Sequence, residues 1–153
     1  VTTGLRLEEA SHLLTAQIPV GDARAERQRR VELPAALTKG DRGRSMLLPR
    51  RLLPVFDAYI AVERAEAVAK FARRRGWEAI DRPIFIHCPS FGPSALHLVG
   101  GGTMDMEVVT PDERAGLVIC DDDGTPCEAA VLWLTEVGQP VLPKWNTVID
   151  QRP

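Results

Sequence analysis

The sequence predicts an α+β fold: an N-terminal helix, an extended basic arm, one long helix and then an antiparallel β-meander of about five strands. Two observations carry this. Apolar residues recur at helical spacing in two stretches before residue 76, and from residue 83 the period falls from about 3.6 to about 2. Strands that follow helices and are joined by tight-turn signals indicate α+β. At 153 residues, 44% apolar and 26% charged, the chain has the size and composition of one globular domain with its own core. The expected organisation is an N-terminal helix within 1–17, an arm over 18–49 and an α+β core domain over 50–153.

In residues 4–17, Leu7, Ala10, Leu13 and Leu14 fall at helical spacing, Thr3 is placed to cap, and Glu8 and Glu9 suit the positive end of a helix. Pro19 and Gly21 stop it. Residues 18–49 are broken by Pro19, Gly21, Pro34, Gly40, Gly43 and Pro49, and only 25–33 has room for a helical turn or two. The stretch carries Lys39 and six arginines: Arg24, Arg27, Arg29, Arg30, Arg42 and Arg44. A structureless segment of this length is uncommon inside a compact domain, so it is expected to be held by a partner.

Residues 54–75 give the clearest element. Pro54 fits a first helical turn and Gly76 a left-handed C-terminal position. Arg73, Arg74 and Arg75 complement the helix dipole, and Glu66 precedes Lys70 by one turn. The N-terminal half is apolar almost all round. Phe56, Ile60 and Phe71 make one stripe and Val55, Tyr59 and Val62 another, and a single sheet cannot cover both. The N-terminal helix, about 20 Å long, can cover only part of the second stripe, so the rest is expected to meet another protein chain. Ala58, Ala61, Ala65, Ala69 and Ala72 allow close approach of a second helix.

Strands are expected at 83–88, 95–99, 103–109, 116–121 and 126–134, with a last short one at 145–149. A loop of Gly100–Gly102 pairs Val99 with Thr103 and sets His97 opposite Asp105. With His87 opposite His97, the candidates His87, His97 and Asp105 form a row across three strands, a set that can bind a metal or orient a general base. The spacing matches no known metal pattern, so no metal is expected there. A two-residue Asp123-Gly124 turn places Cys120 opposite Cys127, within disulfide reach. Cys88 alternates with Ile84 and Ile86 and is expected to point into the core, away from both histidines. Asp121–Asp123 lack the alternating ligands of a calcium loop and read as an acidic hairpin tip. No phosphate-binding loop, dinucleotide fingerprint or nucleophile elbow is present, and no cofactor is expected.

The net charge of −2 hides a division. Residues 21–75 hold 14 Lys/Arg against 7 Asp/Glu, and residues 76–153 hold 4 against 12. Such a split suits a basic part of one subunit docking on an acidic part of the next, or nucleic-acid contact through the basic half. No aromatic residue is interleaved with the arm arginines, so base stacking is not signalled. Three cysteines in a chain without a secretion pattern read as reduced thiols, and no apolar run is long enough to span a bilayer. A cytoplasmic or virion location is expected. The residue bias suits a GC-rich bacterial genome or its phage.

The leading expectation is a non-enzymatic assembly or interaction subunit, in a homo-oligomer or a larger particle such as a phage virion. Its expected partner-binding residues are the six arm arginines with Val55, Tyr59 and Val62. The rivals are a small metal-dependent hydrolase or other enzyme using His87, His97 and Asp105, and a nucleic-acid-binding protein acting through the arm.

Overall fold

Pro49 and Pro54 bracket the entry to the dominant element. In the computed structural model, which describes residues 5–19, 29–40 and 42–141, a 3-10 turn at Arg50–Leu52 leads into α2 (Leu53–Tyr59), with Pro54 in the first turn, where no amide is needed. A π-turn at Ile60–Arg64 joins α2 to α3 (Ala65–Arg73), and together they form one central helix about 30 Å long. It ends differently from expectation. Arg75 takes the left-handed conformation, at φ 52°, while Gly76 is needed for space: a Cβ there would lie 2.3 Å from the Phe71 ring.

The N-terminal helix is shorter than the pattern suggests. α1 covers Leu7–Ser11, after which the chain leaves the helix. The backbone at Leu13–Thr15 instead pairs with 130–132: Leu132 N donates to Leu13 O at 2.8 Å and Thr15 N to Ala130 O at 3.0 Å. The expected cap, Thr3, lies outside the described residues.

Much of the expected arm is part of the fold. β1 (Arg30–Leu33) and β2 (Arg44–Leu47) form an antiparallel hairpin whose inner face buries Val31, Leu33 and Met46. With Leu13, Ile18, Leu48, Leu53 and Leu132 they make one core cluster, on which Phe56, Tyr59, Ile60 and Trp133 pack. The alternation that builds this hairpin is only four residues long on each side and is diluted by charge on the outer face, so it is faint in the sequence.

The expected meander is replaced by a mixed arrangement. β3 (Ile84–His87) pairs parallel with β6 (Leu117–Cys120), which pairs antiparallel with β7 (Pro126–Ala129). β6 is central and every residue in it is buried. Leu117 and Ile119 join Ile86, Leu96 and Val109 on one face, and Val118 meets Phe71 and Ala129 on the other. A strand covered on both faces needs a continuous apolar run, which Leu117–Cys120 supplies. Parallel strands need a crossover, which holds the hairpin of β4 (Ala95–His97) and β5 (Thr103–Asp105) and the helix α4 (Pro111–Gly116). α4 begins with a reciprocal cap: Glu113 N donates to Thr110 Oγ1 at 3.2 Å and Thr110 Oγ1 to Glu113 Oε1 at 3.1 Å. The expected strand at 145–149 lies outside the described residues.

Two registers differ from expectation. In the β4–β5 hairpin His97 pairs with Thr103 and Ala95 with Asp105, a shift of two that keeps every side chain on its expected face. Leu98 and Val99 are drawn to β3 instead, through a bridge to Ile86 and a bond from Val99 N to Phe85 O at 3.0 Å. At the β6–β7 hairpin the loop closes between Asp121 and Thr125, with Gly124 left-handed at φ 80°. The Asp121 carboxylate takes the amides of Asp123 and Thr125, which favours this longer loop. Cys120 therefore pairs with Pro126, and Cys127 falls at a register shift rather than opposite Cys120.

Candidate docking surface on the central helix

The inner face of the central helix is fixed by polar as well as apolar contacts. The π-turn brings Arg64 onto the line of Phe56, Ile60 and Phe71, where it is only 4% exposed. Its guanidinium donates to the carbonyls of Leu132, Ala129 and Val131 at 3.2, 2.8 and 3.0 Å, and pairs with the Glu128 carboxylate. Tyr59 Oη donates to Leu132 O at 3.2 Å and accepts from Leu134 N at 3.1 Å, with its ring 4.9 Å from that of Trp133. Tyr59, expected in the docking stripe, thus serves its own chain.

Among the described residues the opposite face has no such cover. Val55 is 62% exposed and Val62 57%, and Ala58 and Ala61 between them are exposed too. The patch holds no charge over two turns. Ala65, Ala69 and Ala72 extend it along α3, beside the exposed Glu66 and Arg73.

The arm arginines divide. Arg24 and Arg27 lie outside the described residues. Arg29 is buried and its Nη1 donates to Leu48 O at 3.1 Å. Arg44 pairs with the buried Glu9 at 2.6 Å, which ties β2 to α1. Arg30 and Arg42 are exposed.

The His row does not converge. The Ile86–Leu98 bridge, carried on by one residue, brings the exposed His87 opposite the exposed His97. Asp105, however, pairs with Ala95, and its carboxylate accepts the Glu107 amide at 2.9 Å. Among the described residues no group of three His, Cys, Asp or Glu side chains is disposed to hold a metal ion. Cys88 is exposed and not in the core, because β3 ends at His87 and the alternation stops with it. All three cysteines are free thiols. Burial, then the neighbouring Cys127, pushes the Cys120 thiol up, and burial followed by Asp121 does the same for Cys127. Neither thiol is activated as a nucleophile.

A second buried arginine was not signalled by any motif. Arg114 in α4 is fully buried, and its Nη1 donates to His12 O and Gln17 Oε1, both at 3.1 Å. Gln17 also accepts from Leu14 N and donates to Glu32 O, so this one amide joins the N-terminal segment, the β1–β2 hairpin and α4. Burial lowers the Arg114 pKa to about 10, with Glu107 acting in the opposite direction. Among the described residues its Nη2 has no hydrogen-bond partner.

No helix among the described residues is long and apolar enough to cross a membrane. Comparison of the chain with protein-family models, with curated proteins and with solved structures finds no match.

Proposed function

We propose that the chain is a non-enzymatic assembly subunit that docks on further copies of itself through the outward face of the central helix. The observation that carries this reading is the exposure of Val55 and Val62 on a helix whose other face is fully engaged. A helix held so firmly by Arg64, Tyr59 and Phe71 presents its outer residues as a rigid surface, which keeps the entropy cost of association low. Alanines at 58, 61 and 65 let a second backbone approach closely, and two valines supply apolar area on contact. The small side chains also explain how an apolar face this long tolerates water in the free chain.

Light scattering on the purified chain tests the reading. The native chain is expected to show a mass above that of the 16.8 kDa monomer. Val55→Asp combined with Val62→Asp is expected to lower that mass with the circular dichroism spectrum unchanged. A native chain that stays monomeric at high concentration, or a double variant that associates as the native chain does, contradicts it.

A further inference from the structure

Beyond the helix face, a hollow lies at the far end of the central helix. It is a groove of about 1150 Å³ between the turn after the helix, α4 and the 135–140 segment. The floor is apolar, with Ile80, Ile84, Ala115, Val137 and Pro140. The rim carries four carboxylates, Asp81, Asp112, Glu113 and Glu136, against one cation, Arg82. Glu113 is engaged in the cap of α4. Asp81, Asp112 and Glu136 are exposed, and among the described residues none of the three makes an ion pair. An apolar floor beneath unpaired carboxylates fits a ligand that is both cationic and apolar.

We propose that this groove receives the Arg50–Leu52 turn of a second copy of the chain, giving a head-to-tail contact. The turn has the matching chemistry. Arg50 and Arg51 are exposed and, among the described residues, unpaired, and the half-buried Leu52 lies beside them. The groove is fixed to the C-terminal end of the helix: Gln139 donates to Gly76 O at 2.9 Å, and a Cβ on Gly138 would lie 2.5 Å from Ala67 O. The turn is at the N-terminal end, about 30 Å away. One chain therefore cannot fill its own groove with its own turn, and a neighbour can. The nearer Arg75 is already closed on Glu78 at 2.8 Å and lies over Trp77. A contact between two different patches is heterologous and repeats into a ring or a filament. The proposal rests on the reading that the chain assembles with its own copies, but it uses a different surface.

The test uses full-length chains that carry Val55→Asp and Val62→Asp, so that the helix face is silent. One has a reversed groove (Asp81→Lys, Glu136→Lys) and the other a reversed turn (Arg50→Glu, Arg51→Glu). Each alone is expected to stay monomeric by sedimentation. Mixed, they are expected to associate in 1:1 proportion, because the native turn of one fits the native groove of the other and the two reversed halves also match. That association should weaken by at least about tenfold between low and high salt. A chain with both reversals should regain self-association. The proposal is overturned if the mixture stays monomeric, or if the turn-reversed chain alone still associates through its groove, as a two-fold contact using Arg73 and Arg74 would. Should self-association of the otherwise native chain be lost with the valine pair and stay unchanged when only the groove or only the turn is reversed, the helix-face reading stands and the groove proposal falls.

Discussion

Arg64 and Arg114 are both buried guanidiniums, yet their surroundings differ. Arg64 meets a carboxylate and three carbonyls, so its charge and every acceptor around it are compensated. Among the described residues Arg114 has no carboxylate in hydrogen-bond contact and one nitrogen without a partner. Replacing Arg64 by Met strands Glu128 and three carbonyls and is expected to cost about 3–5 kcal/mol. Arg114→Met also removes an uncompensated charge and should cost less, about 1–3 kcal/mol. Urea unfolding of the two variants checks the order, and a larger loss at Arg114 contradicts it. Neither role was legible in the sequence: the partners of Arg64 lie more than sixty positions away at 128–132, and those of Arg114, His12 and Gln17, about a hundred. The thiols give a second residue-scale prediction. Iodoacetamide at neutral pH should modify the exposed Cys88 first and leave the buried Cys120 unmodified until the chain unfolds. The raised Cys120 and Cys127 values also fix a sign. The folded chain holds protons that the unfolded chain releases from about pH 9 upward. Their contribution to stability is present below that pH and is lost as pH rises through it. Alkaline unfolding curves that show stability rising past pH 9 would contradict this.

Elements whose pattern is local were legible: the central helix, with its proline entry, and the strands at 84–87 and 117–120. Elements decided by remote pairing were not. The N-terminal helix gives way after Ser11 because Leu13 and Thr15 find partners at 130–132. β3 pairs parallel with β6 because a strand as apolar as 117–120 is most stable covered on both faces. α4 had a readable start signal, Thr110-Pro111-Asp112-Glu113, in a stretch given no element between the strands expected at 103–109 and 116–121. Close packing of the central helix gives the element-scale prediction. Gly138→Ala puts a Cβ 2.5 Å from Ala67 O and from Phe71 Cβ at a φ of 84°, and should cost at least about 3 kcal/mol. Gly101→Ala has a similar φ, 98°, but meets nothing within 4 Å, and should cost about 1–2 kcal/mol. Equal losses in thermal melts would show that backbone strain, and not the contact with the helix, sets the need for glycine at 138. Thr110→Ala should remove about 1 kcal/mol through the lost cap of α4.

At the scale of the whole molecule, the exposed Arg50 and Arg51 stand before the central helix, and the acidic groove lies beyond its end, past the exposed Arg73, Arg74 and Arg75. The expected docking arm is only partly free, since β1 and β2 are built into a core and Arg29 and Arg44 serve their own chain. What the sequence marked correctly about the candidate surface was geometric: a helix apolar on more sides than one layer can cover. It could not say which residues of the second stripe stay outside, because the hydroxyl of Tyr59 finds its partners at Leu132 and Leu134. The account turns on whether the outer face of this helix is covered in solution. Carbon–proton methyl spectra recorded across a dilution series measure that directly. The Val55 and Val62 methyl signals are expected to shift or broaden as concentration and scattering mass rise together, while those of the fully buried Val118 stay fixed. Val55 and Val62 signals that do not change over a range in which the mass rises, or a mass that never rises, would contradict it.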